Sequence, residues 1–144
     1  MGAYKFSLEN VLTWRESQED EAKRGFLICQ EAQRKQEEIL DTIIAASEEI
    51  KHDAISFDDI NSLRQQYLYK NHLDSEIVKQ QQTVSLYSNE TEKMKEVFVD
   101  AQKERKIMDR LKEKHYDDYL FTMKAEEQKE LDEMGTLRFG STFI

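Results

Sequence analysis

Residues 94–119, MKEVFVDAQKERKIMDRLKEKHYDDY, decide the fold of this chain. Apolar and aromatic side chains recur there every three or four residues, which is the seven-residue repeat of a helix that packs against another helix. The stretch holds neither glycine nor proline, the two residues that interrupt helices most strongly. It therefore predicts a long helix with one face buried against a partner. The seam positions are Val97/Phe98, Ala101, Arg105, Met108, Leu111, His115 and Tyr119.

A second repeat lies near the start of the chain and supplies the partner. Ser7 predicts a helix start, with Phe6 positioned to pack on Val11 or Leu12 across the first turn. The repeat contains small and polar residues in its middle, so its seam is weaker than that of a regular coiled coil. Its seam positions are Leu8, Arg15, Ala22, Cys29, Gln36, Ile43 and Ile50.

The composition of the whole chain favours helices and little else. There is no proline in 144 residues and no glycine between Arg34 and Met134, while 35% of the residues are charged. Such a chain is poor in the sharp turns and phosphate-binding loops on which most active sites are built, so we expect no enzyme. Disorder of parts of the isolated chain is the main alternative, because high charge and low hydrophobicity also produce it.

Two repeats of similar length on either side of a less regular middle predict an all-α fold, an elongated antiparallel two-helix coiled-coil hairpin with a short helical tip segment. The first arm is expected at about 5–50, the tip at 51–88, the second arm at 89–135 and a tail at 136–144, all in one domain. In this pairing residues 20 and 118 are neighbours across the hairpin. A parallel dimer of one continuous rod is the alternative, but interrupted seams favour pairing within one chain.

Three local signals set these boundaries. Ser56, followed by two acidic residues, predicts the N-cap of the tip helix. Asn89 and Glu92 have the spacing of a capping box, although the same residues also suit the middle of a helix. Gly135 predicts the C-cap of the second arm.

Charge and cysteine content limit the partners and the chemistry. A net charge of -9 predicts no nucleic-acid partner, since the phosphate backbone would be repelled. Cys29 is the single cysteine, so no internal disulfide forms. Glu49 and His52 have the spacing of one half of a di-iron motif, but a single copy predicts neither a metal nor any other cofactor. No apolar run is long enough to enter a membrane directly, so we expect a soluble, cytoplasmic protein.

Two surfaces are candidates for binding other proteins. The run 101–115 carries six Lys or Arg against three acidic residues, which is typical either of a solvated helix or of a helix that docks on an acidic protein rim. The second is a face of the tip formed by residues three or four positions apart, which either packs within the hairpin or is an exposed recognition stripe. Its members are Tyr69, Leu73, Glu76 and Gln80.

Three segments resemble the FliJ family of flagellar export proteins. They are YKFSLENVL at 4–12, ERKIMDRLKEKH at 104–115 and KELDE at 129–133, and the resemblance extends over the whole chain in length and layout. It implies a non-catalytic hairpin, similar to the rotor stalk of rotary ATPases, which enters the central hole of the hexameric flagellar export ATPase. It also implies contact with the large membrane export gate protein, binding of export chaperones, and a place at the cytoplasmic side of the inner membrane.

The resemblance assigns residues to two of these contacts. Tyr69, Leu73, Glu76 and Gln80 correspond to the gate-binding stripe, although the family pattern has an alanine and a histidine where this chain has Glu76 and Gln80. The region that corresponds to the ATPase contact contains Arg105, Lys106, Arg110 and Lys114.

A general export chaperone or escort for flagellar subunits and chaperones is the first alternative function, and an unrelated coiled-coil spacer is the second.

Overall fold

A computed structural model describes residues 4–52 and 59–142 of the chain. Two helices account for almost all of them: α1 spans Glu9–His52 and α2 spans Ile60–Thr142. No strand occurs in either described range. The two helices pack against each other in antiparallel order, which confirms the all-α class and the predicted hairpin.

Helix α1 begins at Glu9, two residues after Ser7, the predicted start of the helix. The backbone N–H of Glu9 donates to the carbonyl of Phe6 at 3.1 Å, so the chain makes one turn before the helix starts. The first helical bond joins the N–H of Leu12 to the carbonyl of Leu8 at 3.0 Å. Ser7 lies in this turn and does not cap the helix. Shifts of this size at helix ends are common, because the end residues fray.

Helix α2 begins at Ile60 and continues without interruption through the rest of the predicted tip. Asp59 caps it, because its side-chain oxygen Oδ1 accepts the backbone N–H of Asn61 at 3.1 Å. Ser56, the predicted cap, lies outside the described residues. The possible second start at Asn89 is wrong, since that residue lies in the interior of α2. The backbone hydrogen bonds of the helix continue through this region, because aromatic residues do not by themselves interrupt a helix.

The predicted end of the second arm is also wrong. Helix α2 passes through Gly135 and ends at Thr142. Among the described residues no glycine has a positive φ, so Gly135 does not adopt the left-handed conformation of a C-cap. A glycine without that conformation is simply a weak helical residue, and its cost of about 1 kcal/mol is too small to end a long helix.

The contacts divide the chain into two compact units, each built from both helices. Unit 1 comprises Met1–Glu19 with Ala101–Ile144, and unit 2 comprises Asp20–Asp100. In unit 2 the rings of Phe26 and Phe98 stack with their centroids 6.2 Å apart. The hydroxyl of Thr91 donates to the carbonyl of Cys29 at 3.2 Å in the same seam. These pairs run in opposite directions along the two helices, as an antiparallel hairpin requires.

Unit 1 shows that the predicted register was wrong. Glu19 pairs with Arg105, and Glu9 pairs with Lys112, whose Nζ lies 2.9 Å from the Glu9 carboxylate. The expected partner of residue 20 was residue 118, about thirteen positions further along α2. The error follows from the predicted turn, which was placed in the middle of the presumed tip, whereas α1 ends at His52 and α2 begins at Ile60.

The core is thin, as expected for two paired helices that each bury one stripe. In unit 1 the buried apolar side chains are those of Phe6 and Leu12, and in unit 2 they are those of Ala22 and Leu73. Cys29 is half-buried and unpaired, as a small side chain near the seam. Most other apolar residues keep part of their surface in water, so the faces of the helices are available to other molecules.

Candidate interaction surfaces

The side chains of the basic run lie on two faces of α2, an inner face towards α1 and an outer face towards solvent. Arg105 and Lys112 are seven residues apart and both turn towards α1. The guanidinium of Arg105 donates to the carboxylates of Glu19 and Asp109, and Lys112 binds Glu9. The pKa of Arg105 is raised above its ordinary value, mainly by the hydrogen bond to Glu19 and next by the hydrogen bond to Asp109. The bond to Glu9 likewise raises the pKa of Lys112.

The outer face carries the remaining cations. Lys103, Lys106, Arg110 and Lys114 are all exposed, and with 100° between successive residues they occupy an arc of about 80° on one side of α2. Among the described residues none of the four forms an ion pair. We name these four residues the basic stripe. Lys103 was not predicted as a contact residue, but the spacing of three and four positions makes it a member of this face.

Arg105 therefore occupies a different place from the three other residues predicted to contact an ATPase. Its side chain is only about one quarter exposed and is held by two carboxylates of its own chain. The seven-residue repeat had already put Arg105 on the seam, which was the signal for this internal role. Lys106, Arg110 and Lys114 are the members of the predicted set that face solvent.

The four residues predicted to contact the export gate do not form one exposed face. Leu73 is only 7% exposed and belongs to the core of unit 2. The side-chain amide of Gln80 donates to the backbone carbonyl of Gln36 at 3.0 Å and to its side-chain oxygen at 2.8 Å. Glu76 is half-buried and lies 3.8 Å from the ammonium of Lys79. Leu73 and Gln80 thus hold α2 against α1.

Tyr69 is the member of this set that is most open to solvent, with half of its surface exposed. Large apolar side chains near it on α2 are also exposed, at about 100–180° around the helix from Tyr69, so this end of α2 is apolar and aromatic on several sides. We name Tyr69 and these neighbours the aromatic patch. The neighbours are Ile60, Tyr67 and Leu68.

A shallow cleft of about 270 Å³ lies beside this patch, within unit 2. Leu63 and Tyr67 of α2 and Ile50 of α1 give it an apolar floor, while Lys51 and Lys70 place ammonium groups at its rim. Residues from two helices form it, and the sequence could reveal it only if the position of the turn were known.

A third group of side chains packs the start of the chain against α2 in unit 1. The ring of Tyr4 lies 5.0 Å from that of Tyr116 and 5.1 Å from that of Tyr119, measured between centroids. Its hydroxyl is 3.0 Å from Nδ1 of His115, whose ring also contacts Phe6. His115, which the repeat puts at a seam position, makes these contacts although it remains exposed.

The described part of the chain offers neither a cluster of metal-ligating side chains nor a membrane-spanning helix. No group of three His, Cys, Asp or Glu side chains there is arranged to hold a metal ion. No described helix is both long and apolar enough to cross a membrane. The side chain of His52, which formed half of the single di-iron-like motif, lies outside the described residues.

The fold and its surfaces define a class, that of two-helix hairpins with a basic face and a separate aromatic face. A family model described as flagellar FliJ protein matches residues 4–142 of the 144. The chain therefore belongs to the FliJ family, whose members are non-catalytic components of flagellar export. No curated protein and no solved structure shows significant similarity to the chain.

Proposed function

We propose that this chain is a stalk of the flagellar export apparatus, which binds the hexameric export ATPase and contacts the membrane export gate protein. Membership of the FliJ family supports a role in flagellar export. The observation that carries the finer proposal is the basic stripe, in which four cations face solvent on an otherwise acidic protein. A concentrated positive face on a negative chain favours docking in one orientation on an acidic rim.

The ATPase contact is assigned to Lys103, Lys106, Arg110 and Lys114, with Arg105 as an internal residue that fixes α2 against α1. A single hairpin in a ring of six subunits contacts those subunits unequally, because the hairpin has no six-fold symmetry. Unequal contacts shift the conformations of individual subunits by different amounts. In this way a protein without an active site of its own couples ATP turnover to export.

The gate contact is assigned to the aromatic patch around Tyr69, with Glu76 as its polar border. Tyrosine side chains are frequent anchors of protein interfaces, since they bury a large apolar ring and retain a hydrogen-bonding hydroxyl. Leu73 and Gln80 support this contact indirectly, because they hold this part of α2 on α1. The protein would then be located at the cytoplasmic side of the inner membrane, bound through the export apparatus.

Two other functions predict different partners. An escort for flagellar subunits or export chaperones would bind those proteins without altering the ATPase, and a coiled-coil spacer would bind neither. Chaperone binding is compatible with the stalk as an additional contact, so ATPase binding is the discriminating property.

Adding the purified chain to the purified flagellar export ATPase separates the three functions. Sedimentation measures the fraction of hexamer, and phosphate release measures turnover. A stalk increases both quantities. Binding to flagellar subunits or chaperones with no effect on the ATPase supports the escort, and the absence of any binding supports the spacer.

A further inference from the structure

Helix α2 extends well beyond the part that is paired with the start of the chain. In unit 1 the ring contacts of Tyr4 reach Tyr119, whereas α2 continues to Thr142. Along this extension apolar side chains are largely open to solvent: Leu131 is 61%, Met134 is 64% and Leu137 is 74% exposed. Exposed apolar side chains that lie together on one helix face are typical of an interaction site.

These residues continue the same helix face that packs on the N-terminal part of the chain. That face passes through Lys112, Tyr116 and Tyr119, which contact Glu9 and Tyr4. Steps of three or four residues from Tyr119 keep the same side of the helix. We name the residues reached in this way, with the flanking Leu131, the C-terminal seam. It consists of Met123, Glu127, Glu130, Leu131, Met134 and Leu137.

Two carboxylates lie in the middle of the C-terminal seam. Glu127 and Glu130 are exposed, and neither forms an ion pair within the described part of the chain. Where the same face of α2 meets the N-terminal part, ion pairs join the two, as in Arg105 with Glu19 and Lys112 with Glu9. A helix that covers Glu127 and Glu130 therefore needs cations opposite them, since an unpaired carboxylate is costly to desolvate.

We infer that the C-terminal seam binds an amphipathic helix of a partner protein, with apolar residues at both ends of its contact face and lysine or arginine in the middle. Continuity with the α1–α2 interface specifies a helix as the occupant, and the two glutamates specify its charge. The seam spans residues 123–137, about 22 Å of helix at 1.5 Å per residue, which suits a small interface and hence a transient partner.

A second copy of this chain does not fit the C-terminal seam. In antiparallel pairing, matching Met123 of one copy with Met134 of the other sets Glu127 directly opposite Glu130. In parallel pairing each glutamate faces its own counterpart. Both arrangements place like charges together at the centre of the interface, which is destabilising.

Two synthetic peptides test the inference with the full-length chain. Each contains three heptads with leucine at the seam positions, and the two central seam positions are lysine in one peptide and glutamate in the other. Fluorescence anisotropy measures their affinities for the chain. We expect the lysine peptide to bind at least about tenfold more tightly, because like charges oppose the glutamate peptide. The double variant E127K/E130K should reverse this order.

A matched control carries the same change in net charge off the seam. Asp118 and Asp132 are exposed and lie about 120–180° around α2 from Glu127 and Glu130, so D118K/D132K should retain the preference for the lysine peptide. M134D should abolish binding of both peptides, with circular dichroism to verify that helix content is unchanged.

Several results would overturn the inference. Equal affinity for the two peptides would do so, as would a control variant that behaves like E127K/E130K, because either shows that net charge alone acts. Dimerisation of the free chain that M134D abolishes would identify a second copy as the occupant instead. Because the proposed ATPase contact is the basic stripe and not the C-terminal seam, E127K/E130K should leave stimulation of the ATPase intact, and failure of this inference leaves the proposed stalk function testable by itself.

Discussion

Two buried hydroxyls in unit 2 show how single residues set the stability of a thin seam. The hydroxyl of Thr91 donates within its own helix to Tyr87 at 2.9 Å and across the seam to Cys29 at 3.2 Å. Ser47 is more deeply buried, and its hydroxyl has no hydrogen-bond partner among the described residues. A satisfied buried hydroxyl stabilises a fold, whereas an unsatisfied one costs desolvation energy without return.

The substitutions S47A and T91V should therefore shift stability in opposite directions. Removing the unpaired hydroxyl of Ser47 should raise the free energy of unfolding by about 1 kcal/mol, and removing that of Thr91 should lower it by about 1 kcal/mol. Urea denaturation measures both values, and an unchanged m-value shows that the folded state is comparable. A loss of stability in S47A would contradict this account, because it would mean that the hydroxyl is hydrogen-bonded in solution.

Arg34 makes a local ion cluster on α1 whose effect depends on pH. Its guanidinium binds Glu31 at 2.6 Å and also binds Glu38 one turn later. The bond from Arg34 is the main cause that lowers the pKa of Glu31 below 4.5. A lowered carboxyl pKa gives stability that is present above pH 4.5 and is lost as the pH falls through the folded pKa.

Carbon-detected NMR titration of the Glu31 carboxyl checks this cause. In the native chain its midpoint should lie below 4.5, and in R34Q it should return towards 4.5. R24Q is the control, since Arg24 is bonded to a backbone carbonyl of its own helix and does not contact Glu31. An unchanged Glu31 midpoint in R34Q would show that another group lowers the pKa.

The segment before α1 packs against α2 and so anchors the start of the chain in unit 1. Phe6 is 7% exposed and contacts the ring of His115, whereas Phe121 of the same unit is 76% exposed. F6A should lower the free energy of unfolding by about 3 kcal/mol, while F121A should change it by less than about 0.5 kcal/mol. Thermal unfolding of the two variants provides the comparison. Equal effects would mean that the segment is not anchored through Phe6.

The sequence predicted the two helices because their repeats and the missing proline are local features. It did not predict where α2 begins, since that depends on whether Asp59 or an earlier residue provides the cap. The turn sets the register, and the register decides which side chains of the basic run meet α1. For this reason Arg105 was selected together with Lys106, although only the repeat, which put Arg105 on the seam, correctly indicated its inward position.

At the scale of the whole molecule, the proposed function separates two contacts by their chemistry. In the proposed contact the basic stripe meets an acidic rim through exposed charges, so binding there should weaken as salt rises, because charges at the surface are screened over about 8–10 Å. The aromatic patch acts mainly through apolar burial, which salt affects little. A change in one surface should therefore leave binding at the other intact.

The affinity of a charge-neutralised chain for the purified export ATPase tests whether the basic stripe is the ATPase contact. K106Q/R110Q/K114Q removes three cations of the basic stripe, and K23Q/K35Q/K95Q removes three exposed lysines outside it with the same change in net charge. We expect the first variant to bind at least about tenfold more weakly at physiological salt, with a smaller salt dependence, and the second to bind as the native chain does. Equal affinities of the two variants, with helix content unchanged, would contradict this assignment.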